Sequence, residues 1–344
     1  MRNIKNIDIK KAVIHILDNN MDEPVLSEAE LEINDDISEF LIRHIMKTSS
    51  DDEAKCAVFN EGRNVIKEIA EDTINRQDTF LENSREIAKY FFRSMKSNSN
   101  IPSGDLVICL FNCEYGITLG ILKLDYNKTY IHSIDYKDDK MIISVLPQMI
   151  GLPGGGQKLQ KCAFINFLQE NYNLLVLDRQ SSKDNESGIA AYLLNDLLNC
   201  IVLSDRRERT RTLLKTSEKW IRENLKEDAD KAEKVRNVVS RTLKSDDVIN
   251  IETMAHYAFD DHPELKEDYL NTLRDVGFED REVPIDREWA DKKLKRKRLK
   301  IDKDIEIYIN SSVYEDSDRF EIKRNGDGTI NIVIKHIRNY IEKQ

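Results

Sequence analysis

The chain has 344 residues, of which 40% are apolar and 34% charged, with a formal net charge of −10. That length supports two or three domains with a sizeable core, and that balance excludes a disordered or fibrous chain. No apolar run reaches the roughly 18 residues of a membrane span, and Met1-Arg2-Asn3-Ile4-Lys5 lacks the apolar core of a signal peptide.

The first element is a β-branched run, Lys11–Leu17, which reads as a strand. Ile37, Phe40, Leu41, His44 and Ile45 recur at helical spacing, with Asp35 and Asp36 placed to cap the start. A second amphipathic helix is predicted over Thr79–Met95, ending in the polar stretch Ser97–Asn100. Four β-rich runs follow: Leu106–Phe111, Gly116–Asp125, Thr129–Tyr136 and Met141–Leu146. Their connections are too short for crossover helices, so the expected sheet is an antiparallel meander, with Phe164–Leu168 and Leu174–Asp178 as additions.

After Ser181 the pattern turns helical. Ile189–Ile201 and Asp205–Leu225 each read as a helix, and the second has two distinct faces. Leu213, Leu214, Trp220, Ile221 and Leu225 share one, and Arg211, Lys215, Lys219 and Arg222 line the other. Asp228–Lys244 continues helical, Asn250 can cap Ile251–Phe259, and Pro263 and Gly277 can bound a last helix. The clearest strand signal comes last. Ile305, Ile307 and Ile309 alternate with polar residues, and Phe320 and Ile322 lead through Asn325-Gly-Asp-Gly328 to Ile330, Ile332 and Ile334. The expected fold is α+β: an α+β domain around an antiparallel sheet over residues 1–180, a helical subdomain over 181–285, and a basic segment with a C-terminal β-meander over 286–344.

Charge is segregated along the chain. Asp18–Glu53 holds twelve acidic and two basic residues, and Asp246–Glu282 holds twelve and three. Arg206–Arg222 holds seven basic and two acidic residues, and Lys292–Lys300 places seven positive charges in nine residues. A like-charged block repels itself, so a polyanion is its natural partner; the bland alternative is a solvated linker pinned by Leu294 and Leu299. Candidate phosphate contacts are Lys292, Lys293, Lys295, Arg296, Lys297, Arg298 and Lys300, helped by Arg206, Arg207, Arg211 and Lys215. For any one residue of the Arg211/Lys215/Lys219/Arg222 stripe, the outward face of an amphipathic helix is a sufficient explanation.

Other motifs are weaker. The segment Gly151-Leu-Pro-Gly-Gly-Gly156-Gln-Lys158 has phosphate-loop glycine spacing, but Gln157 and Leu159 stand where lysine and a hydroxyl are needed. Glu321-Ile-Lys323, with Asp316 and Asp318 upstream, has the residue types of a magnesium-dependent nuclease, yet reads more simply as the wet face of a hairpin. The six histidines lack metal-ligand spacing, and His15 and His44 read as core or boundary residues. Cys56, Cys109, Cys113, Cys162 and Cys200 form no C-x-x-C pair and read as reduced thiols. No metal site, cofactor site or catalytic constellation is expected.

Several segments together resemble the bacterial nucleoid-associated proteins of the YejK/NdpA type. They are Lys10–Leu17 followed by Val25-Leu-Ser27, the helix around His44-Ile45, Leu159–Ile165, Lys300–Ile307 and Asp327–Ile334. Their order and spacing span nearly the whole chain, and specificity comes from the combination rather than from a catalytic signature. The resemblance implies a cytoplasmic, nucleoid-localised DNA-binding protein without enzymatic activity. It transfers no residue-level motif, so the site assignments rest on charge alone. One departure is that Ser187–Leu194 carries no Arg or Lys, where the resemblance leads one to expect basic residues.

The leading expectation is therefore non-enzymatic binding of double-stranded DNA with little sequence preference, since no recognition helix or stacking platform is visible. Chromosome-associated proteins are further candidate partners, and a homodimer would multiply avidity. A protein-interaction adaptor using segregated charges is the alternative, and a magnesium-dependent nuclease is the least favoured.

Overall fold

The computed structural model describes residues 1–97, 101–137, 140–152, 159–169, 171–179, 189–226, 228–301, 304–326, 329–339 and 341. The chain divides into two compact units, Met1–Leu203 and Ser204–Gln344.

The first unit is built on a seven-stranded antiparallel sheet. Its elements in chain order are β1 (Asp8–Leu17), α1 (Asp35–Ser49), β2 (Lys55–Phe59), α2 (Val65–Asn75), α3 (Phe80–Ser97), β3 (Gly104–Cys113), β4 (Gly116–Asp125), β5 (Asn127–Lys137), β6 (Lys140–Ile150), β7 (Lys161–Ile165), β8 (Leu174–Asp178) and β9 (Cys200–Val202). The sheet order is β1-β3-β4-β7-β8-β2-β9, with β5 and β6 forming a separate two-stranded sheet. Alternate residues of β3 go to opposite sides. Leu106, Ile108 and Leu110 join one apolar cluster with Phe80, Ile87 and Phe91 of α3, whereas Val107, Cys109 and Phe111 join another with Leu41 and Ile45 of α1. The sheet is thus covered on both faces, which is why its central strands read as continuous apolar runs although they are antiparallel.

Three local expectations need correction. Asn34, rather than Asp35 or Asp36, caps α1: its side chain accepts from the Ile37 amide, and the two aspartates occupy the first turn. The four-strand meander divides after β4. The free edge of β4 pairs with β7, and at Tyr126 the chain turns away, with its amide donating to Ser103 O (2.9 Å) and its hydroxyl to Asp105 (3.1 Å). The apolar stretch 189–201 is not one helix. It forms a short helical turn, Tyr192–Leu197, and then β9, which pairs with β2. Asn199 makes the break: its φ is +44°, it accepts the Asn60 side-chain amide (2.7 Å), and asparagine tolerates the left-handed region. Residues 98–100 of the polar stretch after α3, 153–158 of the glycine-rich segment and 187–188 of the stretch lacking basic residues lie outside the described residues.

The second unit contains α4 (Arg206–Asn224), α5 (Ala229–Ser245), β10 (Val248–Asn250), α6 (Ile251–Ala258), α7 (Pro263–Arg274), β11 (Glu282–Pro284), α8 (Arg287–Lys293), β12 (Arg296–Ile301), β13 (Ile305–Asn310), α9 (Ser311–Tyr314), β14 (Phe320–Arg324) and β15 (Ile330–Ile334). Asp205, Asp228 and Asn250 cap α4, α5 and α6 through side-chain oxygens, and Pro263 opens α7. Trp220, Phe259 and Tyr269 form the centre of its core, with ring centroids 5.2–5.3 Å apart. The C-terminal strands form two hairpins, β12–β13 and β14–β15, each its own two-stranded sheet. Residues 327 and 328 of the second hairpin's turn are outside the described residues.

Candidate nucleic-acid interface

The basic run is not a linker. Lys292 and Lys293 lie in the last turn of α8, where their charge complements the helix dipole, Lys295 lies in the turn that follows, and the rest is strand β12. A strand sorts its side chains by parity. Arg296, Arg298 and Lys300 are exposed on one face, while Lys297, Leu299 and Ile301 are half-buried on the other. Alternate residues on a strand stand about 6.8 Å apart. That is twice the ~3.4 Å axial spacing of phosphates along one DNA strand.

The partner strand adds to this face. Arg296, Arg298 and Lys300 lie opposite Asn310, Tyr308 and Glu306. One Arg298 Nη donates to both carboxylate oxygens of Glu306 (2.6 and 2.8 Å), which raises the guanidinium pKa and holds the Glu306 carboxyl below its usual range. The Tyr308 ring lies 5.6 Å from the Arg298 guanidinium and is 65% exposed. An open aromatic ring beside guanidinium groups can stack on a base or sugar. Sequence reading assigned Tyr308 only to a strand. The register with Arg298, invisible without the pairing, is what makes it part of the face.

Lys297 has a different role. Its ammonium donates to Asn237 of α5 (2.9 Å) and sits 3.8 Å from the Tyr314 ring centroid. Burial lowers its pKa below the ordinary lysine value, while Glu315 and Glu233 oppose that shift. Lys297 therefore fastens β12 to α5.

The α4 candidates also separate. Arg206 and Lys215 are exposed. Arg207 is buried, and its guanidinium donates to Asp286 (3.0 Å), whose other oxygen caps α8 through the Trp289 amide. That pair ties α4 to the helix preceding the basic strand. Arg211 lies 3.9 Å from Glu208 with its side chain 18% exposed. None of these four lines the groove of about 1080 Å³ that β12 shares with α4 and α5. The helical cations on that groove are Arg222 and Arg236, which converge on Glu218 at 2.9 and 2.8 Å. Glu218, Asp228, Asp230 and Glu233 make the groove's helical wall acidic, and Leu299, Ile301, Ile322 and Ile332 make its floor apolar. β12 also contributes Arg296, Lys297, Arg298 and Lys300 to this lining, where the acidic neighbours offset their charge, so phosphates are better served by the solvent-exposed side of β12.

Glu321, the strand carboxylate considered for metal chemistry, is otherwise engaged. Glu321 accepts from Lys335, with Lys323 3.8 Å away, and these contacts hold its carboxyl below the usual range. Among the described residues no group of three or more His, Cys, Asp or Glu side chains is placed to hold a metal ion. No helix among them is long and apolar enough to cross a membrane.

No curated protein matches the chain. A family model described as nucleoid-associated protein YejK matches residues 13–342, a span running from the first strand of the sheet through both C-terminal hairpins. With nearly its whole length matched, the chain belongs to the nucleoid-associated YejK family.

Proposed function

We propose that this protein binds double-stranded DNA in the nucleoid without enzymatic turnover and with little sequence preference, through the outward face of the β12–β13 hairpin. The observation that carries the reading is the parity of β12: three cations, Arg296, Arg298 and Lys300, share one exposed face with Tyr308. Lys292, Lys293 and Lys295 flank that face as additional phosphate contacts, and Arg206 and Lys215 are accessible for a peripheral role. Arg207 and Lys297 serve the protein's own packing. Phosphate contacts position a duplex without reading it, and two copies of the chain would multiply avidity.

The test is fluorescence anisotropy of a labelled random-sequence duplex, titrated with protein at several salt concentrations. Wild type should bind with a log–log salt slope corresponding to several phosphates. The Arg296→Ala/Arg298→Ala/Lys300→Ala variant should lose about 2–3 from the magnitude of that slope, at roughly 0.9 per phosphate. Unchanged affinity and slope in the triple variant would remove this face from the interface. The apolar floor and acidic wall of the groove favour a second reading, protein docking. A stoichiometric protein partner recovered after nuclease treatment, with no duplex binding at low salt, would put that reading first.

A further inference from the structure

The β5–β6 hairpin is the one long two-stranded sheet of the first unit, eleven residues on each strand. An isolated hairpin is marginally stable in water, because it buries too little to offset its ordering. Its register sorts its side chains into unlike faces. On one, Tyr130, His132, Ile134 and Tyr136 lie opposite Pro147, Val145, Ile143 and Met141. On the other, Thr129, Ser133 and Asp135 lie opposite Gln148, Ser144 and Ile142, with Ile131 and Leu146 as an apolar rung. Tyr130, Ile134, Tyr136, Met141, Ile143 and Val145 of the first face are 51–77% exposed. Tyr130 and Tyr136, at roughly 150–250 Å² each and 63% and 77% exposed, leave on the order of 200–350 Å² open, and the four aliphatic side chains extend the patch to several hundred Å². Monomeric proteins rarely leave a patch of that size uncovered.

We propose that this face is the homodimer interface of the protein, packed against the same face of a second copy. The proposal is independent of the DNA-binding reading. The open area is of the order that one partner contributes to a stable interface, about 800 Å². The face carries no carboxylate, and its one lysine, Lys128 at the base, lies 5.5 Å from the Tyr130 ring. With Lys128 confined to its base, the face offers little to phosphates or to an anionic lipid surface and suits an apolar partner. The same ladder supplies one. Under a two-fold axis lying in the interface and across the strands, the patch meets itself with the ladder reversed. The Tyr136/Met141 rung of one copy then lies over the Tyr130/Pro147 rung of the other, and the aliphatic Ile134/Ile143 rung over His132/Val145. Bulky rungs at both ends with slimmer rungs between them suit that reversal. Pro147 lacks an amide hydrogen, so β6 is a poor edge for strand addition, and packing is face to face. The hairpin's base is closely packed. A Cβ on Gly151 would come within 2.2 Å of Asp105 Oδ2, so only glycine lets the chain close there against the Asp105–Tyr126 hydrogen bond.

The experiment measures the mass of the full-length, nuclease-treated protein by sedimentation velocity and light scattering at about 10 µM, in low and high salt. Wild type should be a dimer in both, since an apolar interface is not screened. Ile143→Lys/Val145→Glu should give a monomer with an unchanged far-UV spectrum. Ser133→Lys/Ser144→Glu, on the opposite face, should remain dimeric. Because charged variants can disturb the hairpin itself, a second measurement uses single cysteines. All five native cysteines are buried, so Ile143→Cys should cross-link to a covalent dimer on mild oxidation while Ser144→Cys does not. A monomeric wild type, a dimer that survives Ile143→Lys/Val145→Glu, or equal cross-linking from both faces would overturn the proposal. The last outcome would also be the signature of non-specific collision, and the first would leave the face for a different protein.

Discussion

Asp125→Ala is the substitution whose cost the structure sets most directly. Asp125 ends β4 and lies between two buried lysines, with its carboxylate 3.0 Å from Lys123 Nζ and 3.8 Å from Lys161 Nζ. Lys123 and Lys161 are paired across β4 and β7, and Lys161 is paired with Asp178 of β8, 4.0 Å away. All four side chains are no more than 7% exposed. Removing one partner of a buried pair leaves an uncompensated charge and costs about 3–5 kcal/mol. For a unit of 203 residues each kcal/mol is worth roughly 2–4 °C, so the melting temperature should fall by about 6–20 °C. Burial already holds both lysines below the ordinary value of 10.5, and losing Asp125 lowers them further. Between the lowered folded values and 10.5 the unfolded chain binds more protons than the folded one, so stability of the variant should rise with pH in that window, more steeply than in wild type. The assay is calorimetry with far-UV circular dichroism from pH 7 to 10. Emission from Trp220 and Trp289, both in the second unit, checks that this unit remains native in the variant. Lys123→Met/Asp125→Leu, which removes the charge together with its partner, should recover to within about 2 kcal/mol of wild type. A shift under about 3 °C that is flat with pH would show that the network is hydrated and worth little, and would refute the reasoning.

The remaining predictions separate roles that composition alone merges. Lys297→Met should leave the salt slope of DNA binding within about 0.3 of wild type, whereas a drop near 0.9 in anisotropy titrations would place that lysine on a phosphate. Gly104→Ala should destabilise by about 1–3 kcal/mol in chemical denaturation, because its Cβ would meet Leu124 O at 2.2 Å and Lys123 Nζ at 2.4 Å. Gly326→Ala, with nothing within 4 Å, should be close to neutral in the same experiment. His15 is fully buried, bonded to Ser84 Oγ and accepting from the Ser27 amide, and burial lowers its pKa to about 4. The unfolded state therefore takes up a proton first as pH falls below 6.5. Up to about 3 kcal/mol should be lost by pH 4, and His15→Asn should remove that part of the pH dependence.

What was legible in the sequence follows from what periodicity can carry. Helices α4 to α7 are readable because the caps Asp205, Asp228 and Asn250 and the helix-opening Pro263 are local signals beside an apolar stripe. Strands β2 and β9 are not readable. Lys55–Phe59 holds only four apolar residues after Lys55, too few for a period to show, and Cys200–Val202 continues an apolar stretch whose helical pattern ends at Asn199, where φ is positive. The buried Lys123/Asp125/Lys161/Asp178 network is invisible for a related reason. Charges at the end of an apolar strand look like the place where it emerges into water, and only the pairing of β4, β7 and β8 shows that this row stays covered. In the candidate interface the charge block was plain, but its division was not. Seven cations in nine residues carry no mark to distinguish Lys297 from Arg296 until the run is known to be a strand with α5 behind it.

That division bears on how a chain of net charge −10 can hold a polyanion at all. A helix or coil would have spread the seven cations of the basic run around its axis, and the acidic segments would have offset a diffuse positive field. The strand places Arg296, Arg298 and Lys300 in one row and turns Lys297 inward, where its charge is held against Tyr314 and Asn237. Glu306, opposite Lys300, tempers the row: it holds Arg298 in place and partly neutralises it. A phosphate that displaces Glu306 from Arg298 must compete with an existing charge-assisted pair, which favours a contact that is weak, exchangeable and salt-sensitive over a tight one. Glu306→Gln should therefore strengthen duplex binding, by removing both a competitor and a nearby repulsion. Weaker binding in that variant would mean that Arg298 needs Glu306 to hold its guanidinium in position.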